Sequence, residues 1–557
     1  MKNLIIYFKE KIVLTMLIMS IGMISCKDYL DVIPKESVSD VTLWTGTGNA
    51  DLFLNDIYGS IRGPINFFDP GDNYTDNSIG QYLWQDSRSL YVLGVVSPGR
   101  TSNLQQWDQF TNIRKCNMFI SKVEASDLDV AWKTLRLAEA RFLRAYFYSL
   151  LWTTYGGVPV ITDVLDRNTQ GDEIFKARAT DQETYQFIVD ECAAIAEDLP
   201  VKPGTSRVGR GAALTLKGWC ELFNASPLKN LGNDKARWAL AAATNKQVMD
   251  MNIYSLFPDH ATLRYEANNN NAEIIFCKTY LGGTAIGNSL AGLQPIHFRN
   301  GSMSSWGGVY PVQELVDEYA MANGLPIKDP ASGYDPQNPY VNREKRFYDD
   351  IQYDGLVFNG YEIKFWTGSG DWNELDLTGG KDAPCTVYAV NKAVEEKYCV
   401  NGYNNLSSAN WPIFRYAEVL LSYAEAQNEA VGPDVSVYDA INQVRARVEL
   451  PPLRAGLSQD EMRIAILRER RVELCFEDKR WFDLIRLKLA ETLIPGSVYT
   501  MKIEKVNGIK VYSVVPLMAS GGNNRAFNPA KNYVLPIPTS AIDRNKNLIQ
   551  NSGYGLD

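Results

Sequence analysis

Histidine is nearly absent from this chain of 557 residues, which contains only His260 and His297. Because imidazole is the side chain that most often moves protons near neutral pH, this scarcity leaves few options for histidine-dependent catalysis. The sequence also lacks a CxxC spacing, a Cys/His cluster, HExxH, Gly-x-Ser-x-Gly and a Walker loop. A zinc site, a serine-hydrolase site and a P-loop nucleotide site are therefore not predicted.

The chain also has no excess of positive charge. It contains 56 Lys and Arg and 65 Asp and Glu, which gives a formal net charge of -9. An acidic chain is a poor partner for nucleic acid or for anionic lipid headgroups. No segment reaches the roughly 18 uncharged apolar residues that a membrane-spanning helix needs. Hydrophobic residues nevertheless make up 45% of the sequence, which is typical of a folded globular protein.

The N-terminus carries an export pattern. Lys2, Lys9 and Lys11 precede residues 12–25, which contain no charge and are too few to span a bilayer but suit a signal peptide. The run ends in Met23-Ile24-Ser25-Cys26, and a small residue before a cysteine resembles a lipobox. We therefore predict a signal peptide over residues 1–25 and a lipid (diacylglycerol and palmitate) on Cys26, the first residue of the mature chain.

The remaining cysteines give two different predictions. Four lie in apolar helical stretches, where cysteine usually behaves as a small core residue: Cys116, Cys192, Cys220 and Cys475. Cys385 and Cys399 lie in a loop-rich stretch instead and are able to form a disulfide outside the cytoplasm.

Helical patterns dominate two parts of the chain. Residues 27–45 read as an extended tether, and pairs of apolar-striped helices joined by short turns follow up to about residue 250. Residues 266–408 are rich in Gly, Asn, Tyr and Trp, and helices return after residue 416. Thr180 with Glu183 and Ser458 with Glu461 predict capping boxes at two helix starts. The helix rhythm suggests tetratricopeptide-type pairs, although no repeat of 34 residues matches itself and an unrelated bundle stays possible.

Six segments, in order, resemble the SusD/RagB family of nutrient-uptake lipoproteins. They are KDYLDVIP (27–34), AEARFLRAYFYSLLWTTYGGVPVI (138–161), WPIFRYAEVLLSYAEAQNEA (411–430), AINQVRARVELPPL (440–453), ILRERRVELCFEDKRWFDLIRLK (466–488) and YVLPIPTSAIDRNKNLIQNSGY (533–554). Together they extend over nearly the whole mature chain.

The resemblance implies a mainly α fold, a SusD-like α/α superhelix of tetratricopeptide-like helix pairs packed against a loop-rich C-terminal part. It implies a lipidated tether (26–45), an N-terminal SusD-like helical domain (46–260) and a C-terminal SusD/RagB domain (261–557). It also implies an outward-facing, lipid-anchored protein of the cell outer membrane without enzyme activity. Such a protein would capture glycan oligosaccharides, or peptides in some members, as the lid of a SusC-type TonB-dependent barrel.

The charged residues within these segments invite a catalytic interpretation. They are Arg141, Arg144, Arg415, Glu418, Glu425, Arg470, Glu473, Glu477, Arg480 and Asp483. Arginine–carboxylate pairs between packed helices satisfy each other's charge, so we interpret these residues as fold-fixing pairs and not as a catalytic site.

Sugars present hydroxyls and weakly apolar faces, which Trp and Tyr stack on while polar side chains bond the hydroxyls. Three loop regions offer this mixture, each carried on the helical scaffold. The first contains Tyr74, Asp76, Asn77, Tyr82, Trp84 and Arg88, the second His297, Arg299, Asn300, Trp306 and Tyr310, and the third Trp366, Asp371 and Trp372. Trp84 and Trp306 are the strongest predictions, because both lie among polar and glycine-rich residues and not on an apolar stripe.

Three alternatives remain open at the level of sequence. A glycoside hydrolase needs only two carboxylates, and 65 acidic residues cannot exclude such a pair. A peptide-binding adaptor is compatible with stacked helix pairs. Structural calcium in acidic loops lacks the spacing of an EF-hand, so no cofactor or metal is predicted.

Overall fold

The computed structural model of the chain describes residues 43–64, 69–82, 84–88, 94, 96–100, 103–204, 206–282, 288–289, 308–358, 360–371, 373–377, 384–398, 406–517 and 525–555. The signal peptide, Cys26 and the tether up to residue 42 lie outside these residues. All structural statements below refer to the described part.

Helices form most of the regular structure. In chain order they are α1 Thr47–Gly59, α2 Gln109–Glu124, α3 Val130–Tyr155, α4 Arg167–Gln170, α5 Asp181–Ile195, α6 Arg210–Ala225, α7 Lys235–Asp250, α8 Gln313–Val316, α9 Lys345–Asp350, α10 Tyr416–Val431, α11 Val435–Arg447, α12 Gln459–Glu473, α13 Arg480–Arg486, α14 Ala490–Leu493 and α15 Thr539–Arg544. The prediction of a mainly α fold is confirmed.

Local sequence explains where several of these helices begin and end. Both predicted capping boxes are present, with Thr180 and Glu183 at the start of α5 and Ser458 and Glu461 at the start of α12. Each satisfies backbone N–H groups that the first helical turn leaves without partners. The long helix α3 ends at Gly156, whose φ of 74° is a conformation that residues with a side chain rarely adopt.

Strands are short and occur in antiparallel pairs. They are β1 Ser78–Ile79, β2 Ile274–Lys278, β3 Asn288–Ser289, β4 Tyr310–Pro311, β5 Ile351–Gln352, β6 Val357–Phe358, β7 Tyr361–Glu362, β8 Ala389–Val390, β9 Leu406–Ser407, β10 Trp411–Arg415, β11 Tyr499–Val506 and β12 Ile509–Pro516. The pairs are β1–β4, β2–β10, β3–β9, β5–β8, β6–β7 and β11–β12, so the described residues form no larger sheet. The strands serve to fasten loops to the helical scaffold.

One hydrophobic core joins the two predicted halves of the chain. Helices α2, α3, α5, α6 and α7 pack on one another in chain order, and α10 then packs against α7. Trp152 and Phe223 from the first half share this core with Leu420 and Ile466 from the second. The core is therefore continuous across residue 260, and the predicted domain boundary there stays a prediction.

A second core lies beneath the irregular middle of the chain. It gathers Tyr319, Phe347, Tyr388 and Ile503 between α9, β8 and the hairpin β11–β12. The four predicted core cysteines are buried thiols, and so is Cys385. Cys385 is a free thiol in this structure, and Cys399, the partner that the sequence allowed for a disulfide, lies outside the described residues. Across the described chain, no helix is both long and apolar enough to cross a bilayer.

Buried ion pairs connect the C-terminal helices. The Arg415 guanidinium, 1% exposed, donates to both carboxylate oxygens of Glu477 at 2.8 and 2.9 Å, to Glu473 at 2.6 Å and to Glu273 at 2.7 Å. Arg447 also binds Glu273 and Glu473. We call these five residues the ionic cluster.

Other buried arginines are also paired with carboxylates. Arg486 donates to both oxygens of Glu425, and Arg470 donates to both oxygens of Asp483. Near the first half of the chain, Arg141 and Arg144 both bind Glu191. Each charged group is thus matched inside the fold, as predicted for pairs that fix the packing of helices.

The fold shifts the pKa values of two neighbouring carboxyl groups, Asp350 and Glu473, in opposite directions. Burial raises the pKa of Asp350 from 3.8 to about 7, and its Oδ1 has no hydrogen-bond donor. Burial acts the same way on Glu473, but the charges of Arg447 and Arg415 outweigh it and hold the pKa of Glu473 well below its usual range. Folding therefore favours the protonated form of Asp350 and the ionised form of Glu473.

We expect Asp350→Asn and Glu473→Gln to change stability in opposite senses at pH 8. The folded state binds the Asp350 proton more tightly than the unfolded state, so its ionisation costs stability as the pH rises from about 4 to about 7. Asp350→Asn should remove this cost and gain about 2–4 kcal/mol at pH 8 and nothing at pH 4. Glu473→Gln should lose about 3–5 kcal/mol at pH 8, because it removes the buried negative charge that Arg415 and Arg447 share.

Urea unfolding of both variants at pH 4 and pH 8 measures the difference. A loss of stability at pH 8 in Asp350→Asn would contradict the assigned protonation.

Candidate functional site

The first predicted loop region is built around a buried carboxylate. Asp69, which is 1% exposed, accepts hydrogen bonds from the Tyr74 hydroxyl at 2.9 Å, the Asn73 amide at 3.2 Å and the Ser87 backbone N–H at 2.9 Å. These bonds join the two ends of the segment 69–88. The segment is therefore an ordered loop whose two ends lie close together.

This loop also meets the second predicted region. Strand β1 pairs with β4, with Ser78 opposite Pro311 and Ile79 opposite Tyr310. The carbonyl oxygen of Gly308 accepts from Asn73 Nδ2 at 3.0 Å and from Gln85 Nε2 at 2.9 Å. The fold thus brings together two regions that are more than 200 residues apart in the chain.

Two arginines, Arg471 in α12 and Arg480 in α13, bind side chains of the same loop. Arg480 donates to both oxygens of Asp76 at 2.8 Å, and Arg471 donates to Asn77 Oδ1 at 2.9 Å. Burial would raise the pKa of Asp76, but the charges of Arg471 and Arg480 hold it well below its usual range. A third arginine, Arg525, donates to the carbonyl oxygen of Thr75.

Several predicted ligand residues are therefore interior. Tyr74, Asp76, Asn77, Arg88 and Tyr310 are all at most 5% exposed. The Arg88 guanidinium donates to the carbonyl oxygen of Gly80 at 2.8 Å, within its own loop. We correct their expected role accordingly: in this conformation these side chains support the loop and do not present themselves to a ligand.

Tyr82 and Trp84 differ from these residues. Their rings are stacked, with centroids 5.4 Å apart and an angle of 11° between the planes, and Trp84 is 63% exposed. Gln85 supports the turn, since its side-chain oxygen accepts from the Tyr82 backbone N–H at 2.5 Å. The loop therefore carries one broad aromatic surface that faces solvent, which we call the Tyr82–Trp84 pair.

The other predicted residues fall into two groups: those outside the described part of the chain, and those of the third loop region. His297, Arg299, Asn300, Trp306 and Trp372 lie outside the described residues, so they stay predictions.

The third region is described in part, and it lies against the hairpin β11–β12. The Lys505 ammonium lies 4.2 Å from the centre of the Trp366 ring, and Asp371 accepts from the Tyr361 hydroxyl. Trp366 and Asp371 thus have partners within the protein.

The sequence did not indicate Arg471 and Arg525 as supports of this loop, and it indicated Arg480 only as a residue that fixes the fold. Arg471, Arg480 and Arg525 hold it from positions about 400 residues further along the chain. The signal available in sequence was only that Arg471 and Arg480 lie in one family-like segment, residues 466–488. Among the described residues, no group of three or more His, Cys, Asp or Glu is placed to hold a metal ion.

Comparison with known proteins matches both halves of the chain. A family model described as "SusD family" matches residues 256–554, and one described as "Starch-binding associating with outer membrane" matches residues 28–216. A SusD-like protein of Formosa agariphila is 24% identical over 499 residues, which cover 87% of this chain and 92% of that protein.

Solved structures of SusD-like proteins also superpose on most of this chain. A SusD-like protein from Bacteroides fragilis superposes with a TM-score of 0.75 at 27% identity, covering 93% of this chain and 99% of that chain. A SusD-like carbohydrate binding protein from the same species superposes with a TM-score of 0.75 at 25% identity, covering 91% and 100%.

Proposed function

Because the chain belongs to the SusD family, whose model matches more than half of its length, we propose that it captures glycan oligosaccharides at the outside of the outer membrane. In this proposal the protein is lipid-anchored through Cys26 and passes its ligand to a SusC-type TonB-dependent barrel, over which it closes as a lid. It binds the ligand without cleaving it.

The exposed Tyr82–Trp84 pair is the observation that carries the binding proposal. A solvent-exposed, stacked aromatic surface suits the weakly apolar face of a sugar ring, and Trp84 leaves 63% of its surface open to such a ligand. Aromatic side chains with few rotatable bonds lose little conformational entropy when they bind. The buried supports of the loop hold the pair in position before the ligand arrives.

The relatives make glycans the first ligands to test. One neighbour of similar fold is a laminarin-binding SusD-like protein, at 20% identity and a TM-score of 0.64. A second is the carbohydrate-binding protein of Bacteroides fragilis described above. We propose a ligand of the same class, with Trp306 as a second aromatic contact.

Trp84→Ala is expected to weaken oligosaccharide binding by about 10- to 100-fold, the effect of losing a central aromatic contact. Affinity gels that contain soluble starch, laminarin, xylan or mannan identify the glycan that retards the mature chain, and calorimetry then measures its affinity. Leu231→Ala is the matched control, because Leu231 is 86% exposed and lies on another part of the surface.

Two outcomes would contradict this proposal. Unchanged affinity in Trp84→Ala, and also in the double variant with Trp306→Ala, would place the site elsewhere. The appearance of new reducing ends during incubation with the bound glycan would identify an enzyme in place of a binding protein.

A further inference from the structure

One cavity in the described part of the chain shares no lining residue with the loop that carries the Tyr82–Trp84 pair. Its volume is about 350 Å³, within the usual range for small-molecule sites. Three segments distant in sequence form the walls: the start of α2 with the residues before it, residues 159–176, and α15 with the residues after it. Nothing in the proposed glycan function uses this cavity.

Hydrogen bonds between the walls hold the cavity open. Asn117, which is 1% exposed, donates to the carbonyl oxygens of Ile161 and Asp163 at 2.9 and 3.2 Å. On the other side, Asn545 donates to the carbonyl oxygen of Lys176 at 2.8 Å, and Asn547 donates to that of Phe175 at 2.6 Å. The cavity is therefore preformed, and a ligand would not have to pay for ordering its walls.

The interior is apolar and largely aromatic. Trp107, Phe110 and Phe175 contribute rings, and the aliphatic side chains of Ile113 and Leu548 complete the lining. Trp107 and Phe110 lie 5.0 Å apart between ring centres at an angle of 58°. Each of these rings also contacts a tyrosine edge to face, Trp107 with Tyr155 and Phe110 with Tyr148. A further aromatic ring prefers tilted or offset contacts of the same kind.

The rim is cationic, although the whole chain is acidic. Arg114, Lys176 and Arg544 are exposed at the opening, where Asp163 is the only lining carboxylate among the described residues. Neither Lys176 nor Arg544 forms an ion pair with any described residue. Arg114 uses one N–H to bond the carbonyl oxygen of Leu165 at 2.6 Å, which leaves its other donors available.

We propose that this cavity binds a small aromatic carboxylate, with its ring between Trp107, Phe110 and Phe175 and its carboxylate at the cationic rim. The apolar walls favour a ring over a hydrated sugar, whose hydroxyls would find few hydrogen-bond partners there. The excess of cations over carboxylates favours an anion over a neutral or cationic group.

Calorimetry with trans-cinnamate tests the proposal on a soluble chain that starts at Lys27 and therefore lacks the lipid-bearing Cys26. We expect a dissociation constant of about 0.1–1 mM, which is reasonable for a ligand of this size. Cinnamyl alcohol keeps the ring without the charge, and hexanoate keeps the charge without the ring. Both should bind at least about fivefold more weakly than cinnamate.

Two variants locate the binding. Ala541→Trp should fill the cavity from α15, where Ala541 is only partly buried, and should abolish cinnamate binding. The double variant Lys176→Gln with Arg544→Gln should weaken it about five- to tenfold. Lys546→Gln is the matched control, because Lys546 lies just beyond α15, is 74% exposed and does not line the cavity.

The outcomes separate this site from the glycan site. Trp84→Ala should leave cinnamate affinity unchanged, and Ala541→Trp should leave glycan affinity unchanged. Absence of cinnamate binding at 10 mM, as expected if residues 27–42 occupied the cavity, would overturn the proposal. Equal binding of cinnamate by the wild-type chain and by Ala541→Trp, with the melting temperature preserved, would also overturn it.

Discussion

Arg415→Ala is expected to lower the free energy of unfolding by about 3–5 kcal/mol, the usual cost of removing one partner from a buried ion pair. The loss is large at this position, because Arg415 contacts three carboxylates at once, those of Glu273, Glu473 and Glu477. Removing it leaves these carboxylates buried with fewer cations, and it also frees the Glu473 carbonyl oxygen that Arg415 binds at 2.6 Å.

Urea unfolding monitored by circular dichroism measures this loss. Arg454→Ala is the matched control, because Arg454 pairs with Glu461 at the surface, with side chains 69% and 47% exposed. A pair this exposed should contribute less than about 1 kcal/mol. Arg415→Lys keeps the charge but loses the two-pronged contact with Glu477, so we expect a loss between those of the two alanine variants.

The same variant separates a structural role from a role in binding. Below its melting temperature, folded Arg415→Ala should bind glycan as the wild type does, because Arg415 is buried. An unchanged melting temperature together with lost glycan binding would contradict this interpretation and would make the ionic cluster part of the site.

Cys26→Ala is expected to abolish glycan uptake by cells while the soluble chain keeps its full affinity. Without the thiol no lipid can be attached, so the proposed lid would have no anchor to hold it at its proposed barrel. In the proposed arrangement, the lipid anchor keeps the effective concentration of the lid at the barrel high, and a freely diffusing protein would lose this advantage.

Growth on the glycan identified by the affinity gels measures uptake, and incorporation of labelled palmitate measures lipidation. Ser25→Ala is the matched control, because alanine is also a small residue before Cys26 and should preserve processing. Normal growth of cells that carry Cys26→Ala would show that anchoring is dispensable and would contradict the proposed mechanism of the lid.

Helices and their ends were largely predictable because their determinants are local. A capping box needs only a hydroxyl and a carboxylate three residues apart, so Thr180 with Glu183 predicted the start of α5 correctly. The burial of Cys116 and Cys475 followed in the same way from apolar spacing. The fold as a whole came from six family-like segments in order, a signal that no single helix carries.

The exposure of the proposed ligand residues was predicted less well, because composition does not tell which side of a loop faces solvent. Tyr74 and Trp84 lie ten residues apart in similar surroundings, yet Tyr74 is 2% exposed and Trp84 is 63% exposed. The difference arises from Asp69, which binds the Tyr74 hydroxyl inside the loop. Asp76 looked like a sugar ligand, and it is instead the counterion of Arg480.

The sequence by itself determined the helical scaffold and the family and predicted a lipid on Cys26, because each pattern behind these conclusions lies within a short segment of the chain. Only the tertiary structure decided which aromatic residues are open to a ligand, how the ionic cluster is connected and where a cationic rim meets an apolar cavity. The physical reason is that burial and charge pairing depend on contacts such as Arg480 with Asp76, 404 residues apart. Nothing in the local sequence constrains such contacts before the chain has folded.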